Sequence, residues 1–224
     1  AKAIYENING KGDLTYAALC NKIGNLYREI EDYPKSLSML LESKDIRENL
    51  LGNEDTIYAE SCHSLANLYL DMEDYLKAEQ QYVKALQIQE ISLGTGHFDY
   101  ALTCGNLGYL YRIKGQHDKA EPLLLHSKII KEKVLGKNNP MYLEACNSLA
   151  ILYKNMVQYE KAESQFLDIM QIQEKYIGKD NPKYAKYCNN LGVLYKEMGQ
   201  FMKAEKLLIA AKNIRKKYLD KYLD

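Results

Sequence analysis

Residues 58 to 69 read Tyr-Ala-Glu-Ser-Cys-His-Ser-Leu-Ala-Asn-Leu-Tyr, and the spacing of Tyr58, Cys62, Leu65, Ala66 and Tyr69 puts all five on one helical face at about 100° per residue. The stretch is one copy of a repeated unit. The pairs Leu26-Tyr27, Leu68-Tyr69, Leu110-Tyr111, Leu152-Tyr153 and Leu194-Tyr195 stand 42 residues apart each time, without insertion or deletion. Tyr16, Tyr58, Tyr100, Tyr142 and Tyr184 keep the same step, as do Ile46, Ile88, Ile130, Ile172 and Ile214. Five units follow, at 13–54, 55–96, 97–138, 139–180 and 181–224, after a segment 1–12 that reads as the end of an earlier helix and its loop.

Working outward from Tyr58, helix A spans roughly 56 to 72, and the polar turn Glu73-Asp74 follows it. Tyr75, Ala78, Tyr82, Leu86 and Ile88 then open a second amphipathic stretch, helix B. Leu51-Gly52, Leu93-Gly94, Leu135-Gly136 and Ile177-Gly178 end the B helices, with glycine expected in the left-handed conformation. Asn139-Pro140 and Asn181-Pro182 restart the chain, asparagine as N-cap and proline at the first helical position. Residues 1 to 9 align with the end of a helix B, Ile4 falling in the Ile46 row, so the chain reads as a piece of something longer. One hairpin buries only part of its apolar surface, so neighbours must stack. The expected fold is all-α, a tandem helix-turn-helix solenoid coiled as a right-handed superhelix with a concave face.

The unit Cys62-x2-Leu65-Ala66-x2-Tyr69, followed by Ala78-x3-Tyr82 and Ala85, resembles the tetratricopeptide repeat, with cysteine where that pattern has tryptophan. The 42-residue period, Leu135-Gly136-Lys137-Asn138-Asn139-Pro140 and Cys188-Asn189-Asn190-Leu191-Gly192 are similar more narrowly to the kinesin-light-chain subfamily. That resemblance implies a scaffold whose concave groove captures an extended segment of a partner protein. The subfamily also occurs in arrays attached to proteases, kinases or nucleotide-dependent effectors. This implies an alternative, a regulatory or self-associating array that docks onto another domain of the same larger protein. Members that grip a chaperone's C-terminal carboxylate carry lysine or arginine beside asparagine on helix A, whereas this chain has Asn21, Asn25, His63 and Asn67 there. A carboxylate clamp is therefore not expected.

Comparing the five copies separates two stripes on helix A. Residues that repeat, such as the Tyr16 and Cys20 rows and the Leu26-Tyr27 pairs, read as core. The stripe that varies would line the groove: Asn21, Asn25 and Arg28; His63 and Asn67; Tyr109 and Arg112; Asn147, Ile151 and Lys154; Asn189, Val193 and Lys196. Asparagine is a poor helix former, so its recurrence needs a compensation. Its amide both donates and accepts, which suits a peptide backbone, and the alternative is an amide that bridges adjacent helices, as expected for Asn106 and Asn190. Arg28, Arg112, Lys154 and Lys196 could hold an acidic ligand, or merely answer the helix dipole in the last turn. Tyr109, Ile151 and Val193 suit an apolar side-chain pocket.

Other classes find no support. Thirty basic residues balance thirty acidic ones, so no global field favours nucleic acid or an anionic membrane. No apolar run approaches the roughly 18 residues needed to span a bilayer, and a cytoplasmic location is expected. Cys20, Cys62, Cys104, Cys146 and Cys188 are one structural position seen five times. Helices packed about 8 to 10 Å apart leave such equivalents beyond the roughly 7 Å reach of a disulfide. His63, His97, His117 and His126 occupy four different repeat positions, with no metal or catalytic spacing, and no phosphate-binding or zinc motif occurs. The expectation is a protein without cofactor or metal that is not an enzyme.

Overall fold

The structure is a computed structural model that describes the backbone of residues 12 to 223 and the side chains of residues 12 to 220. The reading of residues 1 to 9 as the end of a helix B lies outside the described residues. Among these there are ten helices and no strand. In chain order they are α1 (Leu14–Glu29), α2 (Tyr33–Leu51), α3 (Thr56–Asp71), α4 (Tyr75–Leu93), α5 (Phe98–Ile113), α6 (His117–Leu135), α7 (Pro140–Asn155), α8 (Tyr159–Tyr176), α9 (Pro182–Glu197) and α10 (Phe201–Leu223). Odd-numbered helices are the A helices and even-numbered ones the B helices. The chain forms two compact units that meet between Lys114 and Gly115, so α1 to α5 belong to the first and α6 to α10 to the second.

Local chemistry sets the helix ends. Each A helix has a side-chain N-cap: Asp13, Asp55, His97, Asn139 and Asn181 accept from the backbone N–H groups of Tyr16, Ile57, Asp99, Met141 and Tyr184. Asp32 and Asp74 cap α2 and α4 in the same way, whereas Gln116 and Gln158 ahead of α6 and α8 make no side-chain cap. The B helices close on Gly52, Gly94 and Gly136 with φ of 81°, 79° and 79°, as glycine requires. Their ψ values of 178°, 159° and 165° differ from the left-handed helical conformation expected. They lie in a region only glycine occupies, which turns the chain outward instead of coiling it back.

Within each unit an A helix packs against B helices on either side, as α3 and α9 show. In the first unit Tyr58, Ala59 and Cys62 of α3 meet Ala85 and Ile88 of α4, while Leu65 and Leu68 of α3 meet Leu40 of α2. In the second unit Tyr184, Ala185 and Cys188 of α9 meet Ala211 and Ile214 of α10 and Met170 of α8. Close approach explains Gly24, where a β-carbon would stand 2.7 Å from Leu40 Cγ. Leu68, Leu110, Leu152 and Leu194 are fully buried, each contributing about 1.5 to 3 kcal/mol. Leu26, in the same row, is 58% exposed and departs from the core expectation. Its row packs on the preceding B helix, and the described residues include none ahead of α1. All five cysteines are buried and outside any disulfide, and burial pushes the Cys62, Cys146 and Cys188 thiols up.

Candidate ligand surface on the A helices

In the first unit the varying stripe is knit sideways, from each A helix to the next. Asn21 is 4% exposed and donates to Glu60 Oε1 at 3.0 Å. Asn25 donates back to the Asn21 carbonyl at 3.0 Å and reaches Ser64 Oγ at 3.5 Å. Arg28 pairs with Asp71 at 2.6 Å. Between α3 and α5, Asn67 Oδ1 accepts from Tyr82 OH at 2.5 Å and from Asn106 Nδ2 at 2.9 Å. Asn106 Nδ2 also stands 3.3 Å from His63 Nε2, and His63 Nδ1 stands 2.9 Å from Thr103 Oγ1. Thr103 gives its own proton to the Asp99 carbonyl at 3.2 Å, so this bonding assigns the imidazole proton to Nδ1. Farther along α5, Tyr109 is 40% exposed and Arg112 lies over its ring at 4.8 Å. Burial holds the Arg112 guanidinium below its ordinary value. Arg112 has no carboxylate partner among the described residues.

The second unit repeats the pattern with charges. Glu144 of α7 takes Lys186 of α9 at 2.9 Å, and Lys154 pairs with Glu197 at 2.9 Å. Asn147 is 5% exposed, and its Oδ1 accepts from Asn190 at 2.7 Å. Ile151 and Val193 are half-buried, and so is Asn189, while Lys196 is exposed. Asn189 and Lys196 make no hydrogen bond or ion pair with the described residues.

The thirteen expected site residues thus divide in two. Asn21 and Asn147 are closed over, Asn25, Asn67 and His63 are occupied by neighbours, and Arg28 and Lys154 are neutralised. The physical reason is that an asparagine or lysine on this stripe faces the next A helix as well as solvent, and the shorter hydrogen bond forms there. The bridging expected of Asn106 and Asn190 is present, but their partners are Asn67 and Asn147, which the sequence reading had set aside for ligand. Tyr109, Arg112, Ile151, Asn189, Val193 and Lys196 keep surface to offer.

One row passed unnoticed in the sequence. Arg47, Gln89, Lys131, Gln173 and Arg215 share a repeat position one residue after the isoleucine row. Arg47, Gln89, Lys131 and Gln173 are buried, at 3%, 4%, 9% and 1% exposure. A polar residue kept at a fixed place beside an apolar row was the available signal. Beside Gln89 a recess of about 420 Å³ opens between α3, α4 and α5. Among the described residues no cluster of histidine, cysteine and carboxylate side chains could hold a metal, and no helix is long and apolar enough to cross a membrane.

The sequence model of the tetratricopeptide repeat family matches residues 14–91, 99–166 and 142–217. No curated protein matches the chain. Among solved structures, a Podosopora anserina protein assigned as a kinesin light chain, with nearly identical TPR-like repeats, superposes with a TM-score of 0.80 at 22% identity, over 92% of this chain and 98% of that one. BtubC (BKLC) from P. vanneervenii gives a TM-score of 0.80 at 21% identity, over 96% of this chain and 85% of that one. YrrB, described as a TPR protein with an unusual peptide-binding site, gives 0.60 at 20% identity, over 98% and 94%. At these identities the likeness is one of fold, and it bears out the tandem helical repeat.

Proposed function

The chain belongs to the tetratricopeptide repeat family, and from that premise we propose that it is a non-catalytic scaffold whose A-helix stripe takes up an extended segment of a partner protein. One observation carries the reading. Tyr109 on α5 stays 40% exposed beneath the Arg112 guanidinium, which burial holds below its ordinary value and which has no carboxylate partner among the described residues. On α7 and α9, Ile151 and Val193 offer an apolar surface beside Asn189 and Lys196. That set suits a backbone amide, an apolar side chain and an acid group of one peptide. In the first unit, Tyr109 and Arg112 offer an aromatic face and a cation. YrrB, which shares the fold, is described as having a peptide-binding site.

The test starts from a partner captured by pull-down and measured by calorimetry. Asn189→Ala combined with Lys196→Ala is expected to weaken binding about tenfold or more, from one neutral and one charge-assisted hydrogen bond. Lys133→Ala, exposed on α6, is the control. Lys161 would serve poorly, since its ammonium lies over the Tyr153 ring at 5.1 Å. Unchanged affinity for the double variant, with the Lys133 variant impaired, moves the site off the A helices.

A second reading, docking onto another domain or a second copy, is favoured by α10, where Phe201 and Met202 are 68% and 87% exposed. Sedimentation that shows a concentration-dependent dimer, abolished by Met202→Glu, would support it, and a monomer at all concentrations would remove self-association.

A further inference from the structure

Arg47 and Gln89 hold the same position in consecutive repeats, yet they leave different surroundings. The Arg47 guanidinium donates to the Ile57 carbonyl at 3.0 Å and to Ser61 Oγ at 2.9 Å, and lies 3.4 Å from Glu60. One repeat on, Gln89 is shorter and uncharged, and the counterparts of Ile57 and Ser61 are Asp99 and Thr103. The recess of about 420 Å³ opens there, lined among others by Ile57, Glu60, His63, Gln89, Asp99 and Leu102. Gln89 is 4% exposed, and its Oε1 is buried without a hydrogen-bond partner among the described residues. An unpartnered acceptor at that depth asks for a donor. Glu60 already meets Arg47 and Asn21, so the uncommitted carboxylate is that of Asp99. His97 Nδ1, at 3.7 Å from it, accepts the Asp99 N–H and therefore carries no proton there.

We propose that this recess receives the guanidinium of an arginine in a bound protein segment, in the place that Arg47 fills for itself one repeat earlier. The inference rests on the A-helix stripe as the binding face and deepens it by naming a side chain. A guanidinium has five donors in a planar fork, enough for Gln89 Oε1 and both Asp99 oxygens at once. Its methylene stem would lie against Leu102, Leu93 and Ile57, which also line the recess. The second unit shows that a buried glutamine alone does not make the site. Gln173 also has an unpartnered amide, but the counterparts of Asp99 and Thr103 are Lys183 and Tyr187 there. The lysine repels a cation, and the tyrosine, 1% exposed, fills the space.

The test needs no partner. The whole chain is titrated with Nα-acetyl-arginine amide, and with the citrulline analogue as an uncharged isostere, while NMR follows the Gln89 side-chain amide and the Asp99 backbone amide. Saturable shifts are expected with arginine and not with citrulline, and Asp99→Asn should weaken arginine binding about tenfold. Gln89→Arg should abolish the response by supplying the guanidinium in place, and should melt above the parent. Equal shifts with citrulline, or unchanged arginine binding in Asp99→Asn, would overturn the proposal. A lost arginine response with partner capture intact sinks the recess alone, and lost capture with the arginine response intact sinks the wider reading.

Discussion

The two units obey one 42-residue repeat and differ at the same register positions. In the first, the B helices start on Asp32 and Asp74, each of which takes a backbone N–H and the ammonium of the lysine three residues on. Those side-chain hydrogen bonds hold both carboxyls below the usual range. In the second, Gln116 and Gln158 occupy those starts, and each buries an Oε1 that has no partner among the described residues. On the A helices the contrast runs through chemistry. The first unit ties α3 to α5 with a network of neutral amide, imidazole and hydroxyl groups, whereas the second ties α7 to α9 with two ion pairs around a single amide bridge. A repeat fixes where side chains stand, then, and leaves open whether a position serves the fold or a ligand.

The largest expected effect is one that both units share. Burial, first, and then neighbouring groups push Tyr100, Tyr111 and Tyr195 up to about 12, above the ordinary tyrosine value near 10. A raised value means the fold favours the neutral phenol. That stability is complete below pH 10 and is lost as pH rises from 10 through 12. Tyrosinate absorbance and circular dichroism should therefore change together in that window for both units. Ionisation that precedes unfolding would show these rings to be exposed.

Next in size is the first unit's network. Asn67→Ala removes the acceptor of both Tyr82 OH and Asn106, so it should cost about 2 to 4 kcal/mol in urea denaturation. A cost below about 1 kcal/mol would break the contrast between a neutral network and an ion-paired ladder, since exposed ion pairs contribute only that much. Smaller still is the cap. Gln158→Asp should raise stability by about 1 kcal/mol, because it copies Asp74 and places a carboxylate three residues before Lys161. No gain would mean that Gln158 is satisfied in a way the first unit does not need.

Much of this was legible in the sequence. The period located every helix pair, Asn139 and Asn181 as caps, the buried cysteine row and the glycine stops, because these depend on local chemistry and on a face that must be buried. What it did not settle was which side of the varying stripe each side chain takes. Asn147 lies on the varying stripe, and only Asn190 on the next A helix turns it from groove to bridge. Lateral partners do leave a trace. Complementary residues recur 39 or 43 positions apart, as in Asn67 and Asn106, Arg28 and Asp71, and Lys154 and Glu197. The two offsets differ by four, about one helical turn, so both positions lie on the face turned to the neighbouring A helix, and a sequence searched at 42 alone passes them by. Glycine's positive φ could be foreseen, but not its ψ, which depends on where the next helix begins.

The central claim, that a stripe amide answered by the next A helix serves the fold, is tested most directly by urea denaturation of Asn147→Ala beside Asn189→Ala. The account predicts a loss of about 1 to 3 kcal/mol for Asn147→Ala, whose removal strands Asn190, and a change within about 0.5 kcal/mol for Asn189→Ala. Equal losses in the two variants, or the larger loss at Asn189, would contradict it.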